Sequence, residues 1–284
     1  MKHLLGSPFF GYNVGDDYII PALSKKVEVL PMTICIAAIC NDGKAIVVCA
    51  DREISTGYLR IDGERKIVAI TKSSIMMGDG DTNIVRRISD IAVDLFSSPQ
   101  YDGTGGIIRV AELIRNLYIR NHLERMEISM LKPLDYDRKE FKERGAQNIQ
   151  PEIYKNLMVQ IQSYESGFPF TDFLVTGVDD KGGKIFRISY SGVNSGDMIE
   201  EIRIGFRAIG SGSTHSESIL SILDQKLSCT IDETKHNLYA AKKFSERAPG
   251  VGETTDMAVI TSDGIIFLTK EEMDKFPKMK VVKA

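Results

Sequence analysis

The chain has 284 residues, 43% of them apolar and 26% charged, with no tryptophan. That is enough length for one large domain or two small ones with a substantial core. A net charge of −3 gives no electrostatic reason for nucleic acid or an anionic membrane as principal partner. The longest apolar runs, Ile34–Ile39 and Ala45–Ala50, are strand-sized, so no transmembrane helix is expected. The opening residues are interrupted by Gly6, Pro8 and Gly11 and then meet Asp16-Asp17, which does not make a signal peptide.

In chain order, residues 1–31 lack clear periodicity. Two apolar runs at 33–40 and 44–51 flank Asn41-Asp42-Gly43 and predict a β-hairpin. A second hairpin is predicted at 66–71 and 74–78, followed by the sharp turn Gly78-Asp79-Gly80-Asp81. Asp79 and Asp81 read as turn and cap residues rather than metal ligands. Apolar residues at 84, 85, 88, 91, 92, 95 and 96 form a helical stripe. A second amphipathic helix runs from Thr104 to about Met130, and the pattern allows a break within it. Residues 131–170 are charged and polar and hold one short helix at 151–165, which reads as a helical insertion rather than a separate domain. Strands are predicted at 171–178 and 184–190 around a glycine turn, and at 205–210 before Gly210-Ser211-Gly212-Ser213. A helix to about 226 follows. Thr230 and Glu233 make a capping box that opens another helix to about 245. The last strands are 255–261 and 265–269. Strands joined by short turns, with helices in pairs between them, predict an α+β fold of two antiparallel sheets between two helix layers, a four-layer αββα sandwich.

Cys35, Cys40, Cys49 and Cys229 include no C-x-x-C pair, and the four histidines are scattered. Buried reduced thiols are therefore expected rather than a disulfide or a metal site.

Thr33 follows Met32. If the chain begins its mature form there, Thr33 carries both a hydroxyl and a free α-amine, a nucleophile with its own base. A nearby ammonium would disfavour a second positive charge on that amine, and the ammonium needs a carboxylate to hold it. An oxyanion needs a backbone N–H, best supplied by a glycine turn. Thr33, Asp51, Lys66 and Gly80 supply one candidate for each part. Each residue also has a plainer reading: Thr33 as a β-former, Asp51 as a strand-end turn residue, Lys66 as an exposed strand lysine, Ser211 as a helix N-cap. His215 reads as a surface residue and Glu246 as a helix-end residue.

Seven elements occur in a fixed order: Thr-then-strand (TICIAAI), the Asp-Gly turn, Ala50-Asp51-Arg52, Lys66-Ile67, the glycine turn at 78–80, FLVTGVDDKG and AIGSGS. In this the chain resembles the β subunits of the 20S proteasome and their bacterial relatives, the heat-shock threonine peptidase and the Anbu type, over roughly residues 33–120 and 171–269. These are N-terminal nucleophile hydrolases with an αββα sandwich. The resemblance implies Thr33 as nucleophile, Asp51 and Lys66 as the charge pair behind it, Gly80 as oxyanion donor, and Ser211 as a holder of the amine and its water. The family's late D-x-x-S-G motif is matched here by Glu246-Arg247-Ala248-Pro249-Gly250, with glutamate for aspartate and no hydroxyl at Pro249. Two residues are inserted before Asp51, and the 131–170 segment exceeds the family's usual connection.

The resemblance implies a cytoplasmic threonine peptidase in a homo-oligomeric ring or stack, acting on peptides or unfolded protein, without metal or organic cofactor. It does not identify a partner ATPase. The alternatives are a catalytically silent subunit of the same fold and an N-terminal nucleophile amidase acting on a small amide. Residues 1–32 read as a propeptide or as an extension ahead of a true start at Met32. The pocket beside Thr33 is expected to be roomy at Gly78 and acidic through Glu64, Asp79 and Asp81, favouring a basic residue before the scissile bond.

Overall fold

The computed structural model describes residues 33–56, 59–63, 65–98, 105–167, 171–189 and 198–276. The expected readings of residues 1–32 and of Glu64 lie outside them.

The first hairpin forms as its apolar runs require. β1 (Cys35–Cys40) pairs antiparallel with β2 (Ala45–Asp51), setting Cys35 opposite Ala50 and Cys40 opposite Ala45. Every residue of both strands is buried. A strand covered on both faces reads as a continuous apolar run, and this is why alternation is absent here. The linking turn holds Asn41 and Asp42 at φ of 52° and 53°, a conformation those two residue types tolerate best after glycine.

β2 then leads to a short two-stranded ribbon, β3 (Glu53–Thr56) and β4 (Leu59–Asp62), which the sequence pattern had not indicated. The second predicted hairpin is β5 (Val68–Thr71) with β6 (Ser74–Asp79). Helix α1 (Thr82–Ser97) begins where Asp81 accepts the Asn83 N–H at 3.0 Å and the Ile84 N–H at 3.4 Å, an N-cap. Helix α2 (Gly106–Met126) passes into a wider π-turn at Glu127–Leu131.

The 131–170 region holds two helices where one was expected, α3 (Arg138–Asn148) and α4 (Pro151–Ser166). α3 escaped notice because only Phe141 and Gly145 are buried along it, too few for a stripe. These helices form a small core of their own, in which Met126 at the end of α2 meets Leu131, Phe141 and Ile161. His122 of α2 stacks on Tyr164 at 4.6 Å between ring centroids and bonds its carbonyl at 2.8 Å.

β7 (Asp172–Asp179), β8 (Gly182–Ile188) and the short edge strand β9 (Ile199–Glu201) complete one sheet, ordered β5-β6-β7-β8-β9. β10 (Phe206–Ile209), β11 (Thr255–Thr261) and β12 (Gly264–Phe267) complete the other, ordered β10-β1-β2-β11-β12. All pairings in both sheets are antiparallel. Helix α5 (Ser213–Ile222) stops earlier than expected, with Asp224 in the left-handed region at φ 53°. Helix α6 (Ile231–Ser245) carries the predicted Thr230–Glu233 capping box. A last short helix, α7 (Lys270–Met273), uses Thr269 and Glu272 in the same way.

Three apolar layers make the expected α+β, αββα sandwich. Between the sheets, Cys35, Ala37, Ile39, Val48 and Ala50 meet Ile75, Met77, Leu174 and Ile185. On one outer face Ile34, Ile36, Val47 and Cys49 pack against Leu220, Leu238 and Ala241 of α5 and α6. On the other, Met76, Phe173 and Val175 pack against Ile88, Ile114 and Tyr118 of α1 and α2. Among the described residues no helix is long and apolar enough to cross a membrane.

Gly177, in the middle of β7, shows how close this packing is. A Cβ there would sit 2.4 Å from the Ser73 carbonyl oxygen and 2.6 Å from Ile107 Cδ1. Gly177→Ala is expected to cost about 1–3 kcal/mol of stability, the usual range for overpacking, seen as a lower urea midpoint with an unchanged slope. An unchanged midpoint would show that both the Ser73 turn and α2 yield freely against β7.

Candidate functional site

The site is assembled around the carboxylate of Asp51. β2 ends with this residue fully buried, where an ionised carboxylate is tolerated only with several partners. It has five. Oδ1 accepts from Thr33 Oγ1 at 2.7 Å, the Ile34 N–H at 3.0 Å and Lys66 Nζ at 2.7 Å. Oδ2 accepts from the Glu53 N–H at 3.2 Å and the Gly252 N–H at 2.9 Å. Thr33, Asp51 and Lys66, chosen from the sequence, thus meet at one point, and Lys66 Nζ also donates to Thr33 Oγ1. The threonine hydroxyl gives its proton to a carboxylate and receives one from an ammonium, which fixes its rotamer and polarises its oxygen. Arg52, the residue after Asp51, is fixed as well. Its guanidinium forks onto Asp256 of β11 at 2.8 and 2.6 Å.

The Thr33 backbone is held from the other side. Its carbonyl oxygen accepts from the Gly212 N–H at 3.4 Å and from Ser211 Oγ at 3.4 Å. Gly210 is in the left-handed region at φ 99°, and a Cβ there would stand 2.2 Å from that same oxygen. Only glycine permits this approach. Ser211 therefore lies next to Thr33, and its hydroxyl is also 3.0 Å from the Pro249 carbonyl. The residue without a hydroxyl still offers Ser211 an acceptor through its backbone.

Glu246 is placed differently. Its carboxylate is bound by Lys242 Nζ at 2.5 Å and Lys243 Nζ at 2.8 Å, so its recorded bonds run into α6 and away from Thr33. Gly80 follows β6 with φ 96°, a turn that suits glycine. The end of that strand approaches β1 where the Cys35 thiol lies 3.8 Å from the Gly78 carbonyl.

Of the expected roomy, acidic pocket, Gly78 and Asp81 are placed otherwise, Asp79 is buried within electrostatic reach of Lys66, and Glu64 lies outside the described residues. The space that a side chain at Gly78 would fill holds Val85 Cγ1 at 2.7 Å and Phe173 at 3.2 Å, on the α1 and α2 side of the sheet. Asp81 is spent on capping α1 and pairs with Arg125 at 3.2 Å. Asp79 is buried and accepts the Asp172 N–H at 3.0 Å.

Two contributors were missed from the sequence. Gly252 donates to Asp51 but sits in a loop with no pattern to mark it. Lys242 is fully buried on α6, in register with buried Leu238, Ala241 and Ser245. A lysine on the apolar stripe of a helix was the available signal. Burial pushes its ammonium pKa down, and Glu246 partly opposes this.

All four cysteines are free, and the three of the opening hairpin are kept protonated by burial. Cys35, Cys40 and Cys49 are buried, and burial pushes Cys40 up to about 11 and Cys49 up to about 12, with Cys35 raised further. Among the described residues no cluster of three His, Cys, Asp or Glu is placed to hold a metal ion.

Asp79 has a measurable consequence. Burial first, then the charge of the neighbouring Asp172, raise its carboxyl from 3.8 to about 7, against the Asp172 N–H hydrogen bond and then Arg187 and Lys66, which lower it. Below pH 3.8 both folded and unfolded chains hold the proton. Between there and about 7 only the folded chain does, so this group makes stability fall as pH rises and adds no further change above 7. Asp79→Asn keeps an acceptor for the Asp172 N–H. Its stability relative to the parent should climb between pH 4 and 7 and then level off, by denaturant titration across that window. A constant difference across the window would show that Asp79 titrates normally.

No protein-family model matches the chain. It is 30% identical over 152 residues to the proteasome subunit beta of Methanocaldococcus jannaschii, covering 50% of this chain and 65% of that protein. It is 30% identical over 149 residues to the proteasome subunit beta of Methanocaldococcus fervens, covering 52% of this chain and 64% of that one. The chain thus spans just under two thirds of the length of either relative. Two such matches support a relationship to the proteasome β-subunit family of N-terminal nucleophile hydrolases over about half the chain.

Proposed function

On that relationship, we propose that the chain is a proteasome-like threonine peptidase that cleaves peptide bonds within an assembly of several copies. The single observation that carries the reading is the contact of Thr33 Oγ1 with both Lys66 Nζ and Asp51 Oδ1. A threonine hydroxyl packed only as a β-former needs neither charge.

In the proposed reaction the peptide bond before Thr33 has first been cut, freeing its amine. Oγ1 adds to the substrate carbonyl carbon while its proton passes to that amine. Lys66 and Asp51 hold the oxygen and its charge state. The carbonyl oxygen becomes an oxyanion facing the Gly80 N–H. Collapse breaks the C–N bond, and the leaving amine takes the proton. Water then adds to the Thr33 ester with the amine as base and releases the acid. Ser211 has one proton, and giving it to the nearer Pro249 carbonyl rather than to the Thr33 carbonyl leaves its lone pairs to accept from the Thr33 amine. This arrangement answers the absent hydroxyl at Pro249. Glu246, bound by two lysines, acts in this reading on the segment that carries Pro249 rather than on the amine.

A chain starting at Met32 tests the nucleophile. Its mature N-terminus should be Thr33 by mass spectrometry, and it should hydrolyse fluorogenic peptide amides. Thr33→Ser should keep partial activity and Thr33→Ala none. Lys66→Ala should lower kcat at least ~100-fold with the fold retained. Protein that retains the residues before Thr33 and is still fully active would reject this mechanism. It would leave the silent subunit or another site.

Assembly has its own readout. Light scattering of the folded protein should give a mass of several chains, since closed symmetric association is the common route to such enclosures. A strict monomer at all concentrations would reject the ring or stack.

A further inference from the structure

We infer that Lys242, which touches neither Thr33 nor Asp51, is a positioning residue that sets both polar arms of the Thr33 site through the segment 246–253. The inference rests on the hydrolase reading for its consequence in turnover, and on geometry alone for the linkage itself.

An ammonium has three protons. Those of Lys242 are directed to Glu246 Oε1 at 2.5 Å, the Gly252 carbonyl at 2.7 Å and the Glu253 carbonyl at 2.8 Å. The side chain is fully buried, so no water competes for these bonds. One cation therefore grips the segment at both ends. Between the grips lie the two groups that reach the site: the Pro249 carbonyl, 3.0 Å from Ser211 Oγ, and the Gly252 N–H, 2.9 Å from Asp51 Oδ2. The two peptide groups that flank Gly252 are both held, the following one at its carbonyl by Lys242 and the preceding one at its N–H by Asp51. A Cβ on Gly252 would stand 2.6 Å from Glu53 Cβ, so this strand-to-loop approach admits no side chain.

A lysine needed only for stability would have other solutions. A buried ion pair is often replaced by apolar residues of similar volume without loss. Lys242 on α6 and Glu246 at its C-cap stand one turn apart, and a leucine or methionine at 242 would continue the buried stripe of Leu238, Ala241 and Ser245. What those residues cannot supply is a donor to the Gly252 and Glu253 carbonyls. Lys243 is no substitute. It reaches Glu246 at 2.8 Å and the Glu253 carbonyl at 3.2 Å, but its bonds do not include the Gly252 carbonyl.

The test compares Lys242→Met, Lys243→Met and the double variant Lys242→Met with Glu246→Leu, which leaves no unpaired buried charge. Amide hydrogen exchange at Gly252 reads the linkage without turnover. Exchange should accelerate about tenfold or more in both Lys242 variants, and stay near the parent rate in Lys243→Met. With fluorogenic peptide amides, kcat should fall about 10- to 100-fold, with KM within about twofold. Fully folded double variant with parental Gly252 exchange overturns the linkage. Accelerated exchange with unchanged kcat overturns the positioning role. Parent protein without turnover rejects the hydrolase reading instead, and Gly252 exchange still decides the linkage.

Discussion

An ionised carboxylate with no exposure to water is the constraint on which the rest depends. Asp51 has five donors, and they come from four separate places in the chain: Thr33 and Ile34, Glu53, Lys66, and Gly252. Removing any one leaves a charge short of a partner in a low-dielectric interior, where such a deficit costs about 1–3 kcal/mol or more. The start of β1, the exit of β2, the approach to β5 and the approach to β11 must therefore arrive together. The same convergence that makes the carboxylate tolerable makes a hydroxyl and an ammonium meet.

The sandwich makes that convergence rigid. β1 and β2 lie inside one sheet with a second sheet on one face and helices on the other, so neither strand can slide without moving every layer. Small residues at Ala37 and Ala50 keep the space between the sheets narrow. The site lies at the end of this packed hairpin, where the backbone emerges from the layers but is still fixed by them. The two loops that complete it, at 210–212 and 249–252, are held by polar contacts to buried groups and not by apolar packing alone.

Much of this was legible in the sequence because its signals are local. The paired apolar runs around Asn41-Asp42-Gly43, the stripe from Ile84 to Phe96 and the Thr230–Glu233 box each announce one element within a few residues. The order of the elements then implies the layers. Thr33, Asp51 and Lys66 were legible as a set because each supplies a distinct chemical need. What escaped was either too short or too distant. The β3–β4 ribbon and β9 are a few residues each, and α3 exposes most of its surface. Gly252 reaches Asp51 across 201 positions through a backbone N–H, which every residue but proline possesses and no pattern distinguishes. Gly78 misled for the opposite reason. A missing side chain reads as open space, but the sequence does not say on which side of the strand a neighbour such as Val85 will stand.

The three cysteines of the opening hairpin carry one more implication. Cys35 faces the space between the sheets, while Cys40 and Cys49 face the helices. Cys40 is opposite Ala45, and Cys49 lies four residues further along β2, roughly 13 Å at the usual strand rise. Neither arrangement approaches the separation a disulfide can span. With their thiolates also suppressed by burial, these sulfurs serve as packing volume rather than as reagents. No disulfide can therefore form between two cysteines of the hairpin that carries Thr33. Its register, and the geometry at its end, rest on packing and hydrogen bonds rather than on a covalent bridge within the hairpin.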